Sequence, residues 1–189
     1  FLIVLDGKDN SKITVQERYN AFNVIFAEEF GESNPYFNVP DRDSPKFESI
    51  YLALQLGTEN DLESGKVFTE KFETGRLTYG NGNPSSKDYN SVSDFIVKGN
   101  EIEIRLPWQL LNFSNPAEQQ VHDDYYENYG IENLKIDSIY AGLGSSENKG
   151  TRIRMGEMPL EGWGKNPRYH ERLKQSYYAV KEIWAGKAE

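Results

Sequence analysis

Apolar and polar side chains alternate along this chain in short runs, set apart by Gly, Asn, Pro and Ser. Phe1–Leu5 is an apolar run closed by Asp6-Gly7 and by Asp9-Asn10-Ser11. In Ala21–Phe26 the alternation puts Phe22, Val24 and Phe26 on one face. Phe47–Leu56 carries the strongest signal, with Ile50, Leu52, Leu54 and Leu56 on one face and Tyr51, Ala53 and Gln55 on the other. Val67–Phe72 places Phe68 and Phe72 on one side, flanking Glu70. In Glu101–Leu106 the residues expected inside are Ile102, Ile104 and Leu106, and those expected outside are Glu101, Glu103 and Arg105. Leu134–Leu143 and Thr151–Met155 complete the set. Successive strand residues face opposite ways, so this two-residue beat predicts a mainly β chain. Many short strands between turn residues predict an antiparallel β-sandwich of jelly-roll type.

Two segments depart from that beat. Asn115-Pro116-Ala117-Glu118 has a capping residue, a proline at the first helical position and an acid in the first turn. A helix is therefore expected over 116–129, with Val121, Tyr125 and Tyr129 on one stripe and Gly130 ending it. A C-terminal helix is expected over 167–185, burying Leu173, Tyr177, Val180 and Trp184 and stopping at Gly186. Gly31–Lys46 and Gly80–Asn90 read as long polar loops, which in compact domains are often functional. No linker and no internal repeat divides the sequence, so residues 1–189 are expected to form one domain.

Composition narrows the chemistry. The 189 residues are enough for a core, since a chain of this size buries roughly 70% of its extended surface. There are no cysteines, which excludes disulfides, thiolate metal sites and a cysteine nucleophile. Two histidines cannot form a three-histidine metal centre within one chain. Thirty acidic residues against 21 basic give a net charge of −9, which argues against a nucleic-acid partner or an anionic membrane surface. No apolar run reaches the length of a bilayer-spanning helix, and no charged start leads into an apolar signal-peptide core. No direct membrane insertion by this segment is expected. The abrupt apolar opening at Phe1 suggests a piece of a longer protein. Aromatic residues make up 13%, a share that favours sheets and recognition surfaces.

Glu101-Ile-Glu-Ile-Arg-Leu-Pro-Trp-Gln-Leu-Leu-Asn-Phe113 is the most distinctive segment. Pro107 has no donor, so the strand must leave its ladder there, and Trp108 sits at the corner. Trp108 and Leu110 either plug the end of the sandwich or present Trp108 as a stacking platform for a ligand ring. The loop with Asn81, Asn83 and Tyr89 lacks the Gly-Lys-Ser/Thr of a phosphate loop. It reads as a hairpin connection, or as a rim of amides and one aromatic suited to sugar hydroxyls. Asp41 and Asp43, with Asp6 and Asp9, offer hard oxygen ligands for calcium without the spacing of a calcium-binding loop, and turn capping is the simpler role. Asp123 and Asp124 are expected on the solvated side of the 116–129 helix. His122 and His170 have no metal-binding frame around them. Gly142-Leu-Gly-Ser-Ser146 is not a nucleophile elbow, and no carboxylate pair stands out for glycoside chemistry. No catalytic residue, metal site or cofactor is expected.

The run from Phe72 to Pro116 also carries a family likeness. It contains Phe-Glu-Thr-Gly-Arg-Leu-Thr-Tyr-Gly-Asn-Gly-Asn-Pro, Tyr-Asn-Ser-Val-Ser-Asp-Phe and Glu-Ile-Arg-Leu-Pro-Trp-Gln-Leu-Leu-Asn-Phe-Ser-Asn-Pro. It resembles the C-terminal extracytoplasmic domain of uncharacterised bacterial membrane proteins, some with an upstream family 2 glycosyltransferase domain. The likeness reaches back to Phe1–Leu5 and on to Tyr140–Leu143. It implies a cell-surface domain tethered through transmembrane segments upstream of this chain, with the rest of a membrane-anchored parent protein as partner. The strand followed by a Pro-Trp corner is similar to family 9 carbohydrate-binding modules and DOMON-like β-sandwiches. That similarity implies a groove walled by aromatics such as Trp108 and Tyr89 and edged by amides such as Asn81 and Asn83, while Trp163, in Glu161-Gly-Trp-Gly, has a different setting.

These readings converge on a noncatalytic carbohydrate-binding-like accessory domain with polysaccharide as partner. Two alternatives remain open: a structural or protein-interaction module, and a polysaccharide hydrolase or lyase.

Overall fold

The computed structural model describes residues 1–26, 37–56, 68–127, 132–145, 154–162, 164, 180–181, 183–184 and 186. The chain is mainly β, as the alternation predicts, and its strands pair antiparallel. β1 (Leu2–Val4), β2 (Lys12–Gln16) and β3 (Phe47–Ser49) form one sheet in that order. β4 (Tyr51–Leu56) pairs with β5 (Phe68–Glu73), and β6 (Phe95–Lys98) with β7 (Glu101–Ile104). β8 (Phe113–Asn115), β9 (Gln120–His122) and β10 (Asn133–Lys135) form a second three-stranded sheet with β9 central. β11 (Ser138–Ala141) pairs with β12 (Gly156–Pro159). Among the described residues the strands are thus shared among small sheets rather than two broad ones.

The core gathers where these sheets meet. Ile13 of β2, Leu77 and Phe95 of β6 are buried together, with Ile3, Leu5, Ile50, Tyr79, Leu106, Leu110 and Leu111 packed around them. The segment carrying Leu77 lies against β2, with Ile13 N–H donating to Gly75 O at 2.8 Å and Leu77 N–H to Ser11 O at 3.0 Å. That approach requires glycine at position 75, because a Cβ there would stand 2.4 Å from Ile13 O.

Several expectations are corrected. Ala21–Ile25 is a short helix, α1, rather than a strand. Phe22 and Phe26 satisfy period 2 and i,i+4 spacing equally well, and their rings lie 5.3 Å apart, with Phe26 capping the end of α1. Phe22 also meets Tyr51 of β4 at 5.5 Å. Of the expected helix over 116–129, the described residues form one 3-10 turn, Pro116–Glu118, and Tyr129 lies outside the described residues. Gln119 then takes φ of 60° and the chain reverses into β9, where Val121 pairs with Phe113. The proline does start a helical turn, but the left-handed residue ends it before a second turn forms. Ser114 is the extra residue of a bulge, since Phe113 and Asn115 face the consecutive residues Val121 and Gln120.

Phe47–Leu56 is split at Ile50 between two sheets. In the β6–β7 hairpin, Gly99 at φ of 60° opens the two-residue turn. Ile102 and Ile104 share a face with Phe95, which stands opposite Ile104, so the alternation picks the core-side face, but the two isoleucines are not buried as expected. Phe95, at the base of the hairpin, enters the core, while Val97, Ile102 and Ile104 are exposed. Of the expected helix over 167–185, residues 180, 181, 183 and 184 are described and helical; Leu173 and Tyr177 lie outside the described residues. Val180 and Trp184 are exposed rather than buried.

Candidate functional site

The Gly80–Asn90 loop is organised by its own amides. Asn81 Oδ1 accepts from Asn83 N–H at 3.1 Å, and Asn81 Nδ2 donates to Ser86 Oγ at 2.9 Å. Asn83 Oδ1 accepts from Ser85 N–H at 3.0 Å, and Asn90 Oδ1 from Val92 N–H at 3.1 Å. Such side-chain turns are what Asn supplies where no ladder satisfies the backbone. The loop closes through Asn90 N–H to Asn81 O at 2.7 Å and is tied to the core strand by Gly80 N–H to Phe95 O at 2.9 Å. Behind it, Asp94 Oδ2 accepts from Thr78 N–H at 2.8 Å.

Arg105 fastens the loop to the end of β7. Its Nη1 donates to Gly82 O, its Nε donates to Glu103 Oε1 at 2.7 Å, and its own N–H donates to Asp94 O at 2.7 Å. A Cβ at Gly82 would come 3.1 Å from the Arg105 Cδ, so glycine admits the guanidinium. Arg105, Leu106 and Pro107 line an open cleft of about 400 Å³ together with Pro84, Tyr89 and Val92. That volume falls in the lower part of the range of small-molecule sites, roughly 300–1,000 Å³. Its lining mixes apolar faces with Ser91, Ser93 and Asn90, and its charges come from Asp94 and Arg105.

The residues singled out in the sequence divide at this cleft. Tyr89 lines it and is 37% exposed. Asn81 and Asn83 stand in the loop, with the Asn81 amide engaged at both ends in holding it. Trp108 follows Pro107 directly but is not among the lining residues; its ring meets Phe113 edge-on at 4.7 Å and is 38% exposed. Leu110 packs on the core, as a plug would. Trp163 lies outside the described residues. Sequence reasoning missed Arg105, Pro84, Val92 and Ser91. The signal for Arg105 was present: an outward arginine one residue before the strand gives way to Leu106-Pro107.

A second, larger hollow of about 630 Å³ is lined by Glu17, Arg18 and Val39–Pro45. Asp41 and Asp43 line it, and no group of three metal-ligating side chains occurs among the described residues. Both of its arginines, Arg18 and Arg42, are already paired, Arg42 with Glu127. Arg18 Nε donates to Asp124 Oδ2 at 2.7 Å and Arg18 Nη1 to Pro40 O at 2.6 Å. Asp124 is therefore buried, not solvated as its expected helix position implied.

A scan against protein-family models finds no match for this chain, and searches of curated proteins and of solved structures find none either.

Proposed function

We propose that this chain is a noncatalytic carbohydrate-binding domain and that the cleft between the Gly80–Asp94 loop and the Arg105–Pro107 strand end holds the sugar. The observation that carries this reading is the lining itself. Tyr89, Pro84, Pro107 and Leu106 offer flat or apolar surfaces for the C–H faces of a pyranose, beside Ser91, Ser93 and Asn90. Asp94 and Arg105 bring one charge of each sign, an environment that suits a neutral glycan. Trp108 follows Pro107 and is partly exposed, and on this reading it adds a ring for a longer chain.

A noncatalytic role fits the carboxylates at the site. Glycoside hydrolysis by the common route needs two carboxyl groups flanking the bond, and Asp94 is the one carboxylate among the lining residues, with Oδ2 already accepting from Thr78 N–H. On this reading the domain serves an extracytoplasmic polysaccharide and is joined to a membrane-anchored parent with a glycosyltransferase domain upstream.

A glycan array probed with the wild-type chain and with Tyr89→Ala tests the reading. Retention of wild type on neutral cell-wall or capsule glycans, lost at least tenfold in Tyr89→Ala with unchanged circular dichroism, is the expected result. No retention across the array overturns it.

A further inference from the structure

The β4–β5 hairpin turns its more apolar face outward. The register pairs Leu52 with Phe72 and Leu54 with Glu70, so these four share one face. Leu52 is 50% exposed, Leu54 41% and Phe72 44%, and Glu70 is also exposed. The opposite face is the one covered: Tyr51 meets Phe22 of α1, and Lys71 Nζ stands 5.1 Å from the Tyr51 ring centre. A hairpin with apolar side chains on both faces and packing on one is an interaction surface in search of its other half.

A second unpartnered apolar surface occurs on the same chain. Val180, Ile183 and Trp184 are helical and fall at i, i+3 and i+4, hence on one helix face. They are 41%, 57% and 72% exposed, and Lys181 borders the stripe three residues before Trp184. The two surfaces are complementary in kind. One is a sheet face with a single acid among apolar side chains, and the other is a helix stripe with a basic residue at its margin.

We infer that a second copy of this chain covers these surfaces, each copy laying its Val180–Ile183–Trp184 stripe on the Leu52–Leu54–Phe72 face of the other. Three arguments select this occupant. Both surfaces are exposed among the described residues, so each is available to a second copy. A single contact of three side chains on three falls short of the roughly 800 Å² per partner of a stable interface, whereas a two-fold arrangement makes the contact twice. One-way pairing would leave a free stripe and a free face at the ends and grow into a filament, and reciprocity closes the assembly. Glu70 of one copy then faces Lys181 of the other, which sets the register. The net charge of −9 on each copy opposes approach at long range, so salt, by screening it, tightens the dimer.

Sedimentation of the full chain, with Leu54→Glu and Trp184→Ser, tests this directly. Wild type is expected as a dimer that strengthens from low to physiological salt. Each variant is expected to weaken association at least about tenfold with an unchanged circular dichroism spectrum. Mixing the two variants is expected to restore part of the association, because an intact Trp184 stripe then meets an intact Leu54 face once per pair. The charge reversals Glu70→Lys and Lys181→Glu should each weaken the dimer, and their combination in one chain should recover it. A wild-type monomer at every concentration, a dimer indifferent to both single variants, or mixing that restores nothing would overturn the proposal. None of these outcomes bears on the sugar cleft, which lies on other elements.

Discussion

Arg18 Nε lies 2.7 Å from Asp124 Oδ2, with the two side chains 9% and 6% exposed and 106 residues apart in sequence. Asp124 Oδ1 also accepts from Tyr126 N–H at 3.0 Å, and the Arg18 guanidinium stands 5.6 Å from the Tyr126 ring centre. The pair joins the end of the first sheet to the connection after β9. Breaking one partner of a buried pair leaves a charge without its counterion, so Asp124→Ala is expected to cost about 3–5 kcal/mol. Replacing both residues by apolar ones of similar size is expected to cost much less. Urea unfolding of Asp124→Ala, Arg18→Met and the Arg18→Met/Asp124→Leu double variant measures this; equal losses in single and double variants would count against the pair.

Position 75 gives a cleaner steric test. An alanine Cβ there meets Ile13 O, a backbone atom held in a hydrogen-bonded strand. Gly75→Ala is expected to destabilise the fold by about 1–3 kcal/mol, the usual scale of overpacking. A melting temperature equal to wild type would show that the 75–77 segment does not lie against β2.

Acid is expected to weaken the first sheet and its junction with β5 through three carboxylates. Hydrogen bonds from Ser44 and Lys46 hold Glu17 below its ordinary value of 4.5. At Glu48 burial pushes the pKa up, but hydrogen bonds from Lys46, Asn23 and Asn20 together outweigh it and lower it. Arg76 and then Ser49 lower Glu73. A lowered folded-state value means that the stabilisation is complete above about pH 4.5 and is lost as pH falls through the lower folded values. Lys46 is raised above 10.5, chiefly by its hydrogen bond to Glu48, so its share persists below that pH and is lost only as pH rises through the higher folded value. Lys46→Met is therefore expected to flatten the loss of stability below pH 4.5. An unchanged slope in urea unfolding across that range would contradict the network.

The cleft has its own fastening. Arg105→Ala removes the donor to Gly82 O and is expected to loosen residues 80–90 without unfolding the chain. Faster amide exchange confined to that loop, at Asn83 and Ser86 in particular, is the expected reading. Protection unchanged from wild type would mean that the Asn81 and Asn83 turns hold the loop unaided.

The class of fold was legible because it rests on side-chain alternation, and alternation survives whatever the strands pair with. How deep each strand face lies was not legible. Glu101–Leu106 alternates cleanly, yet only the Phe95–Leu106 end of that hairpin reaches the core, and the pattern carries no depth. Short runs misled for a related reason. Five or six residues satisfy period 2 and period 3.6 alike, as Phe22–Phe26 shows, and one left-handed residue at Gln119 ended a helix that the spacing of Val121 and Tyr125 had favoured. At the site, Tyr89 was legible as an aromatic in a polar loop. Arg105 was legible as an outward residue at the strand end, but its contact with Gly82, 23 residues away, was not, and neither was the partner of Asp124, 106 residues away.

Nitrogen-15 chemical-shift mapping, with neutral oligosaccharides titrated into the folded chain, tests the central claim most directly. Saturable shifts are expected to cluster at Tyr89, Ser91, Val92 and Arg105, with smaller ones at Trp108. Shifts centred on the hollow lined by Arg18 and Asp41, or no shifts with any glycan tried, would contradict it.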